Sequence, residues 1–229
     1  MKLTVIIPCY NEKNTILDII RKINQLKIKT ELIVVDDNSK DGSFEIIMAN
    51  KNLIHQIIRH DKNIGKGGAI KSAQKLISGD YVVIQDADNE YFPMDLEKMF
   101  RLMIKNNYKV LYGSRVLEKG RYFKNNKFTS IFRIFANHML TIISNYINNQ
   151  KITDAHTCYK MFEAKIFKSI DLVENDFAFC PEITTKISNL KIKIYETSIN
   201  YQGRSYSEGK KISFKDGFKA IKAIFRHKS

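Results

Sequence analysis

The chain has 229 residues, of which 44% are hydrophobic and 27% are charged, so it can bury a core of ordinary size. Lys and Arg outnumber Asp and Glu by 38 to 24, which gives a formal net charge of +14. Such a charge attracts nucleic acid, anionic lipid headgroups and phosphorylated small molecules alike, so on its own it excludes none of these partners.

Cysteine usage and hydropathy exclude several other classes. The three cysteines are widely spaced and form no CxxC or Cys/His cluster, which argues against a disulfide framework and a zinc site and fits a reducing cytoplasm. The apolar run at the N-terminus is short and breaks at Pro8, so no signal peptide is expected. Apolar runs of about 18–20 residues are missing, so no transmembrane helix is expected.

The first half of the sequence alternates strand-like and helix-like patterns. In chain order the pattern predicts strand 3–8, helix 14–26, strand 31–37, helix 43–51, strand 54–60, a helix entered from 63, strand 81–86 and helix 94–106. Near-continuously apolar strands that alternate with amphipathic helices indicate an α/β fold, in which helices cover both faces of a mostly parallel sheet.

The second half of the sequence no longer alternates regularly between strand-like and helix-like patterns. A strand is predicted over 109–115, a basic loop over 116–127, an unusually apolar helix over 128–147, a late strand over 195–202, and a basic amphipathic helix over 212–227. No repeat, low-complexity tract or clean linker interrupts the chain, so a single domain over 1–229 is expected.

A pair of carboxylates follows a strand that reads as fully buried. Asp86 and Asp88 come directly after the apolar run 81–84, and Glu90 lies two residues further on. Ligands of parallel sheets bind outside the carboxyl ends of the strands, where Asp37 also falls. Carboxylates in this spacing can hold Mg²⁺ or Mn²⁺ together with a diphosphate. Taken alone, the pair fits a turn or a helix approach before Pro93 equally well.

The other motifs that accompany this pair of carboxylates are more specific evidence of function. "VIIPCYNE", "IVVDDNSKDG", "NIGKGGAI" and "IQDADNEYFPMDL" follow one another, each at the carboxyl end of a predicted strand, and "LYGSR", "TDAHTCYKMF", "FAFCPEIT" and "YQGRSYSEGKKISFKDGF" come after them. This ordered set resembles the family 2 nucleotide-sugar glycosyltransferases with the GT-A fold. The resemblance covers nearly the whole chain. It is nearest to the branch that glycosylates polyprenyl phosphates, the dolichyl-phosphate mannosyltransferases and glucosyltransferases.

The resemblance implies a nucleotide-sugar site in residues 1–115. Asp86 and Asp88 would hold the metal and the sugar nucleotide, and Glu90 occupies the position of a third metal ligand in related enzymes. A C-terminal loop would close over the diphosphate with Arg204, Ser207 and Lys210. The base and ribose would be bound by Pro8, Tyr10, Asn11, Glu12 and Asp37.

Residues 116–229 would form the acceptor half, and the resemblance implies that Arg115 and Arg133 face an acceptor phosphate. Negative charge builds on the leaving diphosphate, so a divalent cation and nearby Arg or Lys should dominate catalysis. Arg suits bidentate phosphate contacts. Asp154 would orient the acceptor, or would act as a base if the acceptor were a hydroxyl. The resemblance further implies direct displacement with inversion at the anomeric carbon.

Three other features have competing interpretations. "NIGKGGAI" lacks the spacing of known phosphate loops, so its glycines are expected to allow close strand–helix packing, with Lys66 near the nucleotide. Glu182 fits a contact to sugar or acceptor and a carboxylate at a helix start equally well. The five histidines are scattered without ligand spacing, so core or surface roles are expected, although His156 lies in the loop of Asp154.

The apolar helix 128–147 carries more large apolar residues than one core face needs. Burial against the sheet or a dimer partner is one interpretation. The other is a surface in the membrane interface that receives a lipid tail, with the basic C-terminus attracted to anionic headgroups. Any membrane contact is expected to be peripheral, at the cytoplasmic face, and a companion membrane protein could supply an anchor.

The sequence therefore predicts a metal-dependent inverting glycosyltransferase that moves one hexose from a UDP- or GDP-sugar to a polyprenyl phosphate. An alternative is transfer to a saccharide hydroxyl with Asp154 as base. A second alternative, from another class, is a basic nucleic-acid-binding or regulatory module. It is disfavoured because acidic strand ends repel a phosphate backbone, so no nucleic-acid partner is expected.

Overall fold

The computed structural model describes residues 1–118, 131–204 and 214–229; the side chains of 131–134 and 214–216 also fall outside the description. These ranges contain one seven-stranded sheet with the order β3-β2-β1-β4-β6-β5-β7. The strands are β1 Leu3–Cys9, β2 Thr30–Asp36, β3 Gln56–Arg59, β4 Tyr81–Ile84, β5 Val110–Ser114, β6 Lys160–Glu163 and β7 Tyr195–Ser198.

Helices pack on both faces of this sheet. The described helices are α1 Ile16–Asn24, α2 Ser43–Ala49, α3 Lys66–Gln74, α4 Met94–Asn106, α5 Ile131–Asn148, α6 Ala164–Ser169, α7 Phe179–Asn189 and α8 Phe214–His227, with a short 3₁₀ turn at Lys51–Leu53. Within the described ranges, no helix combines the length and the apolar character that crossing a bilayer requires.

The mostly parallel sheet predicted from the sequence is confirmed. β1 pairs in parallel with β2 and β4, β2 pairs in parallel with β3, and β5 pairs in parallel with β7. The central strands are buried on both faces, which is why they read as continuous apolar runs in the sequence. α1 has the predicted helical spacing, because Ile16, Ile19, Ile20 and Ile23 all face the core.

One strand is antiparallel, and the sequence pattern did not reveal it. β6 lies between β4 and β5 and runs antiparallel to both. It is only four residues long and begins with Lys160, which is fully buried, so neither its length nor its hydrophobicity marks it as a strand. β6 places the loop 154–158 beside the ends of β4 and β5.

Several predicted boundaries are corrected by the structure. The third strand is shorter than 54–60, and the late strand ends at Ser198 instead of residue 202. The chain leaves β7 because the backbone N–H and side-chain amide of Asn200 bind the carboxylate of Asp95. Tyr201 then pairs with Tyr91 as an isolated bridge, which brings residues 201–204 over the end of β4.

The glycines of "NIGKGGAI" serve a different contact from the predicted one. A Cβ on Gly65 would lie 2.5 Å from the carbonyl oxygen of Asn175, and one on Gly67 would lie 2.3 Å from that of Glu174. Gly65 also has φ +94°, a backbone conformation that glycine tolerates best. These two glycines therefore allow close packing against the backbone of 174–175, not against a strand.

Candidate active site

A cavity of about 690 Å³ opens at the carboxyl ends of β1, β2 and β4. Because these strands are parallel, their ends meet at one edge of the sheet and bring distant sequence segments together. The cavity has a polar end and an apolar end. Its walls include Pro8, Tyr10, Glu12, Asp37, Lys66, Asp86, Asp88, Glu90, Arg115, Phe135, Met139, His156, Arg204 and Phe218.

Lys66 and Asp86 form an ion pair on the floor of the polar end. The Lys66 ammonium donates a hydrogen bond to the Asp86 carboxylate and lies 3.5 Å from the Cys158 sulfur. Burial alone would raise the pKa of Asp86, but the Lys66 charge, the hydrogen bonds from Lys66 and Cys158, and the Arg204 charge together lower that pKa. Asp86 is therefore an ionised carboxylate, and Lys66 lies beside it on the cavity wall.

Arg204 lies among three further carboxylates. Its guanidinium donates to both oxygens of Glu12 at 3.0 Å and to Asp88 at 2.7 Å, and its backbone N–H donates to Glu90 at 2.8 Å. These contacts link the start of α1, the end of β4 and the segment 201–204. Glu12 was predicted near the base and ribose; the structure instead pairs it with Arg204 beside Asp88.

Among the described residues, the carboxylates outnumber the cations at this end. Glu12, Asp86, Asp88 and Glu90 share Lys66 and Arg204 as their described basic partners. Burial, together with the charges of Asp86 and Glu90, raises the pKa of Asp88 to about 7. Protonation of Asp88 therefore removes part of the excess negative charge among the described carboxylates.

The donor atoms of this cluster suit a hard divalent cation. Asp86 and Asp88 offer carboxylate oxygens, which Mg²⁺ and Mn²⁺ prefer, and a cation would replace the proton that the raised pKa of Asp88 indicates. No group of three or more Asp, Glu, His or Cys side chains within the described ranges is arranged to hold a metal.

Glu90 fixes the segment that carries Arg204. One of its oxygens accepts from the Tyr201 hydroxyl at 2.7 Å, the other accepts from the Arg204 backbone, and its carbonyl accepts from the Gln202 N–H at 2.8 Å. The predicted role of Glu90 was that of a third metal ligand. The contacts in the structure show it as the residue that holds 201–204 over the site.

Asp37 fixes the glycine loop. Its carboxylate accepts hydrogen bonds from the backbone N–H groups of Ile64 and Gly65, at 2.9 and 2.8 Å, and pairs with the His60 ring at 2.7 Å. Asp37 also lines the cavity, as Pro8 and Tyr10 do. Asn11 is not among the described residues that line it, because its amide oxygen instead accepts the N–H of Lys40.

Arg115 and Asp154 form a second buried ion pair, and the Arg115 guanidinium lies 5.0 Å from the centre of the Tyr201 ring. Arg115 donates from Nε at 2.7 Å and from a terminal nitrogen at 2.8 Å, and its backbone N–H also donates to Asp154. Burial opposes the ionisation of Asp154, but the Arg115 charge lowers its pKa nonetheless. Arg115 lines the cavity, whereas Asp154 is only 4% exposed and is not among the described lining residues.

Glu182 does not line the cavity within the described part of the chain. It is fully buried in the first turn of α7, where its carboxylate accepts from the backbone N–H groups of Val173 and Glu174 and from Lys186. The structure thus favours the helix-start interpretation over contact with a substrate. Glu182 holds the loop 173–174 against which Gly67 packs.

The apolar end of the cavity is built by α5 and α8, and both helices expose large apolar side chains, which an ordinary surface helix buries. α5 buries Thr141, Ser144 and Asn148 but exposes Phe135, Met139, Ile142 and Tyr146. α8 buries Ala220, Ala223 and Ile224 but exposes Phe218 (78%) and Phe225 (63%). Large apolar side chains therefore face outward next to the cavity.

Three predicted site residues cannot be placed. Ser207 and Lys210 lie outside the described residues, and Arg133 belongs to α5 but its side chain is also outside the description. Other contributors were missed by the sequence reasoning: His60 beside Asp37, Tyr201 on Glu90, and Lys160 under the loop of Asp154. A single polar residue in an apolar run, as in "CYKMF", was the available signal for Lys160.

The fold and this site define a glycosyltransferase of the GT-A class. Glucosyl-3-phosphoglycerate synthase from Mycobacterium tuberculosis, solved in complex with Mn²⁺, UDP and phosphoglyceric acid, superposes with a TM-score of 0.72 at 13% identity. The alignment covers 99% of this chain and 78% of that chain. At this identity the match supports the fold, and the fold class predicted from the sequence is confirmed.

The family follows from the sequence comparison. The family model for Glycosyl transferase family 2 matches residues 4–171, so this chain belongs to that family. It is 27% identical, over 94% of its length and 91% of the relative's, to a UDP-N-acetylglucosamine–dolichyl-phosphate N-acetylglucosaminyltransferase of Methanococcus voltae. It is 34% identical, over 53% of its length and 35% of the relative's, to a dolichol-phosphate mannosyltransferase of Pyrococcus furiosus. The prediction that the chain is a glycosyltransferase is thereby confirmed.

Proposed function

We propose that this glycosyltransferase moves one hexose, or a hexose derivative such as N-acetylglucosamine, from a nucleotide-diphosphate sugar to a polyprenyl phosphate. One observation carries the proposal: a single cavity joins a carboxylate cluster at the strand ends to an apolar wall formed by α5 and α8. A charged nucleotide suits the first end and a lipid suits the second. The printed activities of the two named relatives support the same pairing of substrates.

The nucleotide would lie over the ends of β1 and β2. Pro8 and Tyr10 line that part of the cavity, and Asp37 holds the loop at Gly65 against it. Asp86 and Asp88 would hold a divalent cation together with the diphosphate, and the bound cation would neutralise charge on the leaving diphosphate. Arg204, released from part of its carboxylate contacts, is the described cation best placed to bind the same diphosphate.

The acceptor phosphate would lie near Arg115, with Arg133 as a second proposed contact. Asp154 engages the guanidinium of Arg115 through both of its oxygens, so it would position Arg115 for the phosphate. A phosphate is largely ionised at neutral pH and attacks without a general base. Attack from the acceptor end, opposite the diphosphate, would invert the anomeric carbon.

Asp154 is poorly placed for the alternative reaction. A base must reach the hydroxyl that it deprotonates, but Asp154 is buried, its pKa is lowered, and its carboxylate is occupied by Arg115. Transfer to a saccharide hydroxyl would require this ion pair to open. The observed pairing therefore favours a phosphate acceptor.

The outward-facing apolar residues of α5 and α8 suit a lipid bilayer. Phe135 and Phe218 line the cavity and also face outward, so a lipid tail could pass from the bilayer to the site without crossing water. Lys222 and Lys228 are exposed on or just after α8 and would attract anionic headgroups. We propose peripheral binding at the cytoplasmic face, with or without a companion membrane protein.

The proposal is tested by transfer with a donor panel. The purified protein is incubated with Mn²⁺ or Mg²⁺, UDP- and GDP-sugars and a short polyprenyl phosphate, and glycolipid is detected by mass spectrometry. We expect transfer of a single sugar that chelation with EDTA stops.

The matched variants are Asp88→Ala, which removes a carboxylate of the cluster, and Asp18→Ala, which removes an exposed one on α1. Only the first should lose transfer, by about a hundredfold or more. Equal activity of both variants, or transfer that is indifferent to EDTA, would contradict the proposed donor site.

A further inference from the structure

His156 has a ring nitrogen that the described fold leaves unpaired. The side chain lines the cavity, but its Nε2 is buried and has no hydrogen-bond partner in the described part of the chain. A buried polar atom without a partner costs roughly 1–3 kcal/mol, so native structures rarely keep one without a reason. At a cavity wall, the simplest reason is a ligand that completes the hydrogen bond.

The loop that carries His156 is held rigidly on both sides. The buried Lys160 ammonium donates to the carbonyl of Ala155 at 2.9 Å and to that of Thr157 at 2.6 Å, which are the two residues that flank His156. The Thr157 hydroxyl donates to the Gly113 carbonyl at 2.6 Å. Because its backbone is fixed, the imidazole is presented at a defined place in the cavity, as a specific contact requires.

The imidazole is neutral at physiological pH. Burial, together with the charge of Lys160, lowers the pKa of His156 to about 4. A neutral ring can donate a hydrogen bond from one nitrogen and accept one at the other, which suits a hydroxyl or an amide better than a phosphate. Phosphate charges would instead be met by Arg115 and Arg204, which both line the cavity.

The position of the loop indicates which substrate group His156 meets. Two residues before it, Asp154 holds Arg115 at the proposed acceptor end. Two residues after it, Cys158 lies against Lys66, the partner of Asp86 at the donor end. The sugar in transit must lie between the diphosphate and the acceptor phosphate, so His156 lies at the level of the sugar.

We propose that His156 hydrogen-bonds a hydroxyl or acetamido group of the transferred sugar and thereby helps to select the donor. This inference rests on the proposed function, because it requires a nucleotide-sugar in this cavity. It assigns no role in bond making to His156. The histidine distinguishes the nucleotide-sugar from the free nucleotide, which lacks the contacted group.

The test is a comparison of binding, not of turnover. Isothermal titration with Mn²⁺ measures the affinity of wild type, His156→Ala and His156→Gln for UDP-N-acetylglucosamine, UDP-glucose, GDP-mannose, UDP and GDP. We expect His156→Ala to weaken the preferred nucleotide-sugar about tenfold, as the loss of one hydrogen bond does, and to leave the free nucleotide within about twofold. His156→Gln, whose amide reaches a similar position, should recover part of the affinity.

His138→Ala, which removes an exposed histidine on α5, is the matched control and should bind like wild type. If His156→Ala weakened the affinities for the free nucleotide and for the nucleotide-sugar equally, the inference would be overturned, since that pattern is expected of a structural role. Unchanged affinities would overturn it and leave the proposed function intact. If wild type binds no nucleotide-sugar at all, the proposed function fails as well.

Discussion

The two ends of the cavity each contain a buried ion pair, but their charge balance differs. At the acceptor end, Arg115 and Asp154 pair through two hydrogen bonds between their side chains and compensate each other. At the donor end, Lys66 pairs with Asp86 and the remaining carboxylates share Arg204; burial, together with the charges of Asp86 and Glu90, raises the pKa of Asp88 to about 7. The first pair is balanced without a ligand, whereas around the second pair the described carboxylates outnumber the described cations.

This difference indicates which end depends on a ligand. Carboxylates in excess gain free energy when a cation arrives, so the donor end should be stabilised by a divalent ion with its nucleotide. The balanced pair at the acceptor end gains nothing from a metal; it holds a guanidinium in a fixed orientation. The donor end is therefore less stable without a ligand than with a bound cation, whereas the acceptor end contributes to stability without a ligand.

The largest expected effect comes from breaking the balanced pair. Arg115→Ala leaves the Asp154 carboxylate buried without its partner, which should lower the free energy of unfolding by about 3–5 kcal/mol. The double variant Arg115→Met/Asp154→Leu should recover most of that stability but not lipid transfer. Urea unfolding of wild type, the single variant and the double variant measures the three free energies of unfolding. A single variant as stable as wild type would show that the pair is not the structural unit described above.

A smaller effect tests whether the apolar end meets a bilayer. Phe218→Ser should weaken binding to vesicles of phosphatidylcholine and phosphatidylglycerol about tenfold, because a largely exposed aromatic side chain no longer enters the lipid. Met48→Ser, which changes an exposed apolar residue on α2, is the control. Vesicle co-sedimentation measures both variants, and equal binding by Phe218→Ser and wild type would argue against this surface.

The third prediction is a pH dependence of stability that comes from the donor end. Because the folded-state pKa of Asp88 is about 7 and its ordinary value is 3.8, the folded protein retains a proton that the unfolded chain has released. Stability in EDTA should therefore fall as pH rises between about 4 and 7, by at most about 1.4 kcal/mol per pH unit from this group.

Asp88→Asn isolates this contribution. The lowered pKa of His156 acts in the opposite sense, because stability from that group rises with pH between about 4 and 6.5, but it is common to both proteins. Unfolding free energies of wild type and Asp88→Asn at about pH 5.5 and about pH 7.5 give the difference in slope. Parallel slopes would show that Asp88 is ionised as usual and that the donor end carries no excess charge.

The two ends also differ in how far the sequence predicted them. Asp86 and Asp88 were placed correctly at the end of β4 because a buried parallel strand leaves a local apolar pattern and its carboxyl end is a known binding edge. The partners of these residues are far away in sequence: Arg204 is 116 residues from Asp88. No local pattern encodes such a pair.

The acceptor end was predicted less well for the same reason. β6 is short and contains a buried lysine, and its antiparallel pairing depends on tertiary contacts that periodicity does not report. The pairing of Arg115 with Asp154, and the clamp of Lys160 on the loop of His156, follow from that strand. The predicted excess of apolar residues in α5 was visible in the sequence, but their outward orientation was not.

The central claim is that the acceptor is a lipid phosphate, and a competition between acceptors tests it most directly. The protein, Mn²⁺ and its preferred nucleotide-sugar are mixed with equal amounts of a short polyprenyl phosphate, the corresponding polyprenol and a soluble disaccharide, and the products are resolved by mass spectrometry. We predict that sugar is found on the polyprenyl phosphate alone. Sugar on the disaccharide, with none on the lipid phosphate, would contradict the account and would require Asp154 to leave Arg115.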